Sequence, residues 1–462
     1  MLDCGVHMNE VGAERLPDFS RIAPFVLSEH ATEMPLKDAV NLVDVLIISH
    51  CHLDHVAALP HFVAAGYRGP VCMTAPTAEI APLLISDYNR VVRGKRNRNA
   101  SESTQPLSDD ATTAAFASVV DLPLASAISV HVPASRGRPA RSVQLTAHHA
   151  GHVLGAAMIH MQVDSCTALY TGDFNCSPEW HLPAASVPTD LKPQLMICES
   201  TLAVTSRHPS GCSDAAMLKA LDAALLRGGR VLVPVHAVGR AQEVLLQVTH
   251  HLRQQERGVP VVMVEGLAST ALELYQRHKQ WCSAEFQQLL GAAEPSGAAA
   301  EGGAAAAEAS PSAQTQASEL AKAVSLDEAL AQSGPCVIFA SPGMMGGGAS
   351  QALLKGVVGD AGALLLLPAF CVRGTLGEQI LRGSKRVQIG DKEYPVACSV
   401  HNMSHSCHVD GPGILHTIAA VQPGAVLLVH GEEGKMAVLS SIVQNHLGIP
   451  VAMPGNLQVL KM

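Results

Sequence analysis

Six residues, His50-Cys51-His52-Leu53-Asp54-His55, constrain this 462-residue chain more than any other stretch. They follow Val45-Leu46-Ile47-Ile48, an apolar, β-branched run that reads as a buried strand. In extended backbone alternate side chains share a face, so His50 and His52 point the same way, and Asp54 and His55 follow as the chain turns into a helix. One loop thus offers two sets of ligands. Imidazole nitrogens mixed with a hard carboxylate oxygen suit zinc in an open, catalytic coordination rather than a closed thiolate cage.

A two-metal site needs more ligands than one loop supplies, and three further strand ends carry them. His152 lies in Ala147-His148-His149-Ala150-Gly151-His152, where the preceding glycine lets the backbone approach a crowded centre. Asp173 ends the apolar run Ala168-Leu169-Tyr170-Thr171-Gly172, where one carboxylate could bridge two cations. His430 follows Val426-Leu427-Leu428-Val429 far down the chain. A lone histidine at a strand end is more often a packing or surface residue than a ligand, so these positions carry weight only together. His7, His61, His148, His149, His160, His181, His208, His236, His401 and His405 have no role at the level of a motif.

With these motifs stand Glu199-Ser200-Thr201, Gly239-Arg240-Ala241-Gln242-Glu243, Ala340-Ser341-Pro342-Gly343-Met344, Gly374-Thr375 and Ser404-His405-Ser406-Cys407-His408-Val409-Asp410. On these residues the chain resembles the metallo-β-lactamase superfamily and, within it, the β-CASP RNA nucleases of RNA 3′-end processing, from Met1 to about Met462. The resemblance implies that two Zn2+ are bound. His50, His52 and His152 would hold one with Asp173; Asp54, His55 and His430 would hold the second, with Asp173 bridging. Asp3 would sit behind the ligands and fix a histidine ring through its free N–H. The reaction would be hydrolysis of a phosphodiester in RNA that leaves a 3′-hydroxyl, with Asp54, His408 and Glu199 in the chemical step. His408 would be the general acid and Glu199 the carboxylate that keeps it protonated. Arg240 either faces the scissile phosphate or caps its own domain. The resemblance further implies an RNA substrate, a multisubunit, Integrator-like 3′-end processing complex with a subunit 9-type partner, and residence in the nucleus.

Residues 1–200 alternate short apolar runs with helical stretches, whereas after Glu199 clear βα units follow: helix 214–226, strand 230–235, helix 239–253 and strand 260–264. Such alternation implies a parallel sheet covered by helices. The expected architecture is α/β. An αββα metallo-β-lactamase fold takes residues 1–203 and 395–462, and a β-CASP parallel α/β domain is inserted at 204–394. Within the insert, 292–318 is a low-complexity tract expected to stay disordered, and 99–113 is a second loosely specified stretch. The family pattern places a strand or two before the residue matching Asp3 and a partner-binding region after the position of Met462, so both are expected to be absent here.

A net charge of −9, from 31 Lys and Arg against 40 Asp and Glu, argues against holding nucleic acid by bulk electrostatics. The local cluster Arg90, Arg93, Lys95, Arg96 and Arg98 is as readily a solvated loop as an RNA contact. The twelve cysteines include no C-x-x-C pair, and Cys166, Cys198 and Cys336 sit on apolar runs, as thiols of a reducing compartment do. With no secretory signal and no apolar stretch of about 20 residues, a soluble intracellular protein is expected. Two rival classes share the metal loop. A small-molecule hydrolase of lactamase or glyoxalase type would not need the inserted domain or the Glu199–His408 pair, and a non-catalytic scaffold would not need all seven ligands.

Overall fold

The structure is a computed structural model and describes residues 1–8, 14–22, 35–95, 107–134, 139–207, 210–289, 320–368, 371–403, 406–456 and 458–460. The 292–318 tract lies outside the described residues, as do the side chains of the basic cluster beyond Arg90. Two compact units form. The first comprises Met1–Pro178, Ala184–Arg207 and Cys407–Met462, the second Glu179–Pro183 and His208–Ser406.

In the first unit β1 (Leu46–Ile47), β2 (Val71–Met73) and β3 (Val119–Asp121) make a parallel three-stranded sheet. The chain start joins its edge, with the Met1 ammonium donating to the Val45 carbonyl at 2.8 Å and Asp3 N–H to Ile47 O at 2.8 Å. A larger sheet begins with β4 (Ala127–Val132), β5 (Arg141–His149), β6 (Ala157–Val163) and β7 (Cys166–Tyr170), all antiparallel, and continues with β8 (Leu195–Glu199) parallel to β7. β5 alternates: Leu145, Ala147 and His149 are buried between more exposed neighbours, the pattern of a strand with one wet face. Its buried face meets the smaller sheet. Val45, Ile47 and Cys72 pack with Val130, Val132, Leu145, Ala147 and Ile159 in one apolar layer between the two sheets. Of the 99–113 stretch expected to be loosely specified, 99–106 lie outside the described residues and 109–113 belong to the helix Asp109–Ala115. Ser108 caps it by accepting from Ala111 N–H at 3.2 Å, and Thr112 and Ala115 are buried.

The second unit is built on β9 (Arg230–Pro234), β10 (Val261–Val264), β11 (Lys322–Val324), β12 (Cys336–Ala340) and β13 (Leu364–Leu367), with a separate hairpin of β14 (Arg386–Ile389) and β15 (Lys392–Pro395). With β16 (Ser399–Asn402) they give a six-stranded, wholly parallel sheet in the order β11-β10-β12-β9-β13-β16. Every residue of β12 and β13 is buried, because a parallel sheet with helical crossovers is covered on both faces and its central strands read as continuous apolar runs. β16 pairs along its length with β13, Leu364 opposite Ser399 through Leu367 opposite Asn402, so the chain stays in this unit past the expected boundary at 394. It then returns to the first unit. There β17 (Ala425–Val429) lies parallel to β8, and β18 (Val451–Ala452) forms the far edge of what becomes a seven-stranded sheet. Val429 is opposite Glu199, which brings the ends of two strands separated by more than 200 residues to one place.

Ile338, at the middle of β12, is fully buried between β10 and β9. Ile338→Ala is predicted to destabilise this unit by about 2–5 kcal/mol through lost burial and the cavity it leaves. Chemical denaturation measures this, and a midpoint unchanged from wild type would refute the placement of Ile338 in a packed core.

Candidate metal centre

The loop after β1 is buried to a degree that its histidines alone would not favour: Ser49, His50 and Cys51 are all within 1% of complete burial. His52 keeps extended backbone and caps the short helix Leu53–Val56, which carries Asp54 and His55. Glycines allow the close approach. A Cβ on Gly5 would stand 1.7 Å from the Asp54 carbonyl oxygen, and Gly172, at φ +51°, leaves 2.6 Å between such a Cβ and that of Ser49.

Four ligand atoms converge in the buried part of the centre. His52 Nδ1 lies 3.1 Å from both His50 Nε2 and His152 Nε2, and Asp173 Oδ2 lies 3.7 and 3.8 Å from those two nitrogens. A second group adjoins it. His55 Nε2 is 3.3 Å from Asp173 Oδ2 and 3.7 Å from Asp54 Oδ2, and His430 Nε2 is 3.4 Å from the same Asp54 oxygen. Asp173 Oδ2 therefore belongs to both groups.

This donor set fits cations better than hydrogen bonding. Three imidazole nitrogens facing one another cannot all be satisfied by the protons available to them, and His55 Nε2 and Asp173 Oδ1 are buried with no hydrogen-bond partner. Tetrahedral zinc ligands at about 2.0–2.1 Å from the ion stand about 3.3 Å apart, close to the spacings found here. Burial, and after it the neighbouring imidazoles, hold His50 well below the ordinary histidine range and bring His52 down to about 3. Both rings are thus neutral, the form that offers a lone pair. Asp54 is pushed up by burial, but the His430 hydrogen bond and the charges of His55 and His52 more than offset this and keep it ionised.

Four of the five histidines have their other ring nitrogen engaged. His50 Nδ1 meets Ser49 Oγ at 3.0 Å, His55 Nδ1 meets Asp3 Oδ2 at 2.6 Å, His152 Nδ1 meets the Cys407 carbonyl at 2.8 Å and His430 Nδ1 meets Thr201 Oγ1 at 2.9 Å. Such partners fix which ring nitrogen carries the proton and aim the other inward. Reading the motifs alone misses Ser49, Thr201 and the Cys407 carbonyl, although two hydroxyl residues beside strand-end motifs were the available signal.

His408 stands beside the cluster. Its Nδ1 is 3.0 and 3.1 Å from the two oxygens of Glu199, a buried carboxylate that also accepts Phe174 N–H at 2.8 Å. Burial alone would lower the His408 pKa, but the Glu199 charge and hydrogen bond outweigh it and the shift is upward. The loop is closed by Asp410, which caps the helix Gly411–Val421 by accepting Gly413 N–H at 3.0 Å and also accepts Arg207 N–H at 2.9 Å.

Arg240 belongs to the second unit. It is 7% exposed and its guanidinium donates to both oxygens of Glu179 at 2.6 and 2.8 Å, so the capping role is the one the geometry supports. His181 Nδ1 donates to Glu243 Oε2 at 2.8 Å, and Gln247 donates to the other Glu243 oxygen at 2.9 Å. Glu179, His181 and Glu243 are close enough to hold a cation, but Glu179 is already paired with the guanidinium and Glu243 with His181.

The predicted effect of Gly5→Ala is displacement of Asp54 and His55 with loss of bound metal from folded protein, read by elemental analysis alongside circular dichroism; full metal content would refute the close approach. A second prediction concerns Glu243. Burial raises its pKa, yet His181 and Arg240 prevail and bring it down to about 2. A depressed carboxyl stabilises the fold above its unfolded pKa of about 4.3, and the contribution is lost as pH falls toward the folded value. Glu243→Gln should therefore be less stable than wild type at pH 7, with the gap closing between about pH 5 and 2. A gap independent of pH would contradict this.

Comparison with known proteins agrees with this arrangement. Residues 24–202 match the metallo-beta-lactamase superfamily domain, 241–380 the Beta-Casp domain, and 393–454 the Zn-dependent metallo-hydrolase RNA specificity domain. The chain is 33% identical to Integrator complex subunit 11 of Danio rerio over 459 residues, 99% of this chain and 69% of that protein. It is 30% identical to cleavage and polyadenylation specificity factor subunit 3-II of Arabidopsis thaliana over 99% of this chain and 67% of the relative. Endoribonuclease ysh1 of Schizosaccharomyces pombe is 32% identical over 96% of this chain, which spans about half (52%) of that protein. With the three domain types in order along one chain and the ligand-bearing strand ends meeting at one centre, this protein belongs to the β-CASP branch of the metallo-β-lactamase superfamily.

Proposed function

We propose that this chain is a metal-dependent endoribonuclease of RNA 3′-end processing that holds two zinc ions. The observation that carries the reading is the single oxygen Asp173 Oδ2 shared by two ligand groups, with the Glu199–His408 pair alongside. His50, His52, His152 and Asp173 would hold one ion, and Asp54, His55, His430 and Asp173 the other. Bound there, the ions would make a water molecule acidic enough to attack at neutral pH and would offset the charge of the scissile phosphate.

The chain's own residues complete the chemistry. Asp54 is 40% exposed on its side chain and so can meet and orient an incoming water. His408 is 19% exposed, enough to reach substrate, while Glu199 behind it is 1% exposed and stays fixed. Held protonated by Glu199, His408 gives its proton to the ribose 3′ oxygen as the P–O3′ bond breaks, which leaves a 3′-hydroxyl. Asp3, Ser49 and Thr201 orient the ligand rings. Net charge of −9 leaves little general attraction for RNA, so delivery of the substrate by partner subunits fits the composition. By similarity to relatives named as subunits of Integrator and of the cleavage and polyadenylation factor, the protein acts in the nucleus within such an assembly.

Zinc analysis and RNA cleavage test the reading together. Wild type is expected to carry about two zinc ions per chain, and Asp173→Ala to lose both the metal and the cutting. His408→Ala should keep the metal and lose cutting by ~10²–10⁴-fold. Intact RNA with hydrolysis of a thioester or β-lactam would sink the nuclease reading in favour of a small-molecule hydrolase.

A further inference from the structure

Among the described residues, Asp3 stands behind the ligands and accepts from three side chains. Its Oδ2 receives Tyr170 O–H at 2.6 Å, His55 Nδ1–H at 2.6 Å and Ser49 O–H at 2.8 Å, while Oδ1 receives Ser49 N–H at 2.7 Å. The side chain of Asp3 is 10% exposed and Tyr170 is 7% exposed, so this hydrogen-bonding takes place out of water. Asp3 also adopts φ +54°, a left-handed conformation uncommon outside glycine, although aspartate is among the residues that tolerate it. Backbone preference alone would not hold the carboxylate at this angle.

Tyr170 ends β7, three residues before Asp173. The same strand end therefore delivers one ligand of the Asp54–His55–His430 group directly and reaches another through Asp3. We propose that Tyr170 is a positioning residue: its hydroxyl clamps the Asp3 carboxylate, and Asp3 in turn fixes the His55 ring so that Nε2 faces Asp54 and Asp173. Without the hydroxyl, Asp3 keeps its bonds to Ser49 and is free to pivot about them, and the imidazole it holds pivots with it. The inference rests on the two-metal reading given above and assigns within it a residue that touches neither metal nor substrate. His55 is the ring most affected, because it alone of the ligand histidines bonds directly to Asp3 among the described residues, whereas His50 and His152 take their outer bonds from Ser49 and the Cys407 carbonyl.

The test is metal binding by the full chain, measured by competition with a chromophoric chelator and by the absorption spectrum of the cobalt-substituted protein. Tyr170→Phe keeps the buried ring and removes only the hydroxyl. One of the two metal ions is expected to bind ~10–100-fold more weakly, with one of two cobalt environments altered and the other intact. Asp3→Asn should give a similar or larger loss. The double variant should bind no more weakly than Asp3→Asn alone, since Tyr170 acts through Asp3. Losses that multiply would assign Tyr170 a packing role and overturn the proposal, as would wild-type affinity and spectrum in Tyr170→Phe. If Asp173→Ala also kept both ions, the two-metal reading itself would fail, an outcome separable from failure at Tyr170.

Discussion

The first unit depends on burying one carboxylate. Asp173 is 2% exposed and its Oδ2 lies within 3.8 Å of His50, His55, His152 and His408. An ionised carboxylate out of water is costly unless it is paired or coordinates a cation, and its neighbours hold it well below the ordinary carboxylate range against the upward push of burial. The surrounding imidazoles are in the same position, since those that stay neutral by burial need something to take their lone pairs. The cluster is therefore high in energy as a set of hydrogen bonds and low in energy as a set of metal ligands. The glycines at 5 and 172 and the buried loop after β1 are what such crowding requires.

The two ligand groups are unequal in a way that follows from depth. His50, His152 and Asp173 are almost wholly buried, whereas the side chains of Asp54 and His430 are 40% and 34% exposed. The first group is the more enclosed, whereas the second has two side chains open to solvent. That division of labour suits a hydrolase, in which a firmly held charge and an accessible one face the same phosphate. The Glu199–His408 pair repeats the logic, a fixed acid behind and a reachable imidazole in front.

The parallel pattern after Glu199 was legible because βα units carry their periodicity in plain view: helix Ser210–Leu226, β9, helix Arg240–Gln254 and β10 all lie where that pattern put them, within a few residues. Boundaries were less legible. β16 is polar and mostly exposed, so nothing in Ser399–Asn402 announces that it pairs with β13; only the register against a leucine-rich neighbour decides it. The helix at Asp109–Ala115 was missed for a related reason. It is short, and its support comes from a capping serine and from burial of Thr112 and Ala115, neither of which shows as periodicity. Arg240 illustrates the ambiguity of a charged residue in a glycine-led turn, which reads the same whether its guanidinium meets a phosphate or, as here, Glu179.

The chemistry of the centre was set by the sequence itself, because the kinds of ligand and their placement at strand ends are local properties: an extended loop puts His50 and His52 on one face, and a short helix after it adds Asp54 and His55. What tertiary structure alone decided is which atoms meet. The pairing of β17 with β8 brings His430 beside Glu199 and Thr201, and the edge bonding of Asp3 to β1 sets its carboxylate against Ser49, His55 and Tyr170. Contacts between residues so far apart in the chain depend on sheet register and on the fit of apolar layers, which are properties of the assembled core and not of any one segment.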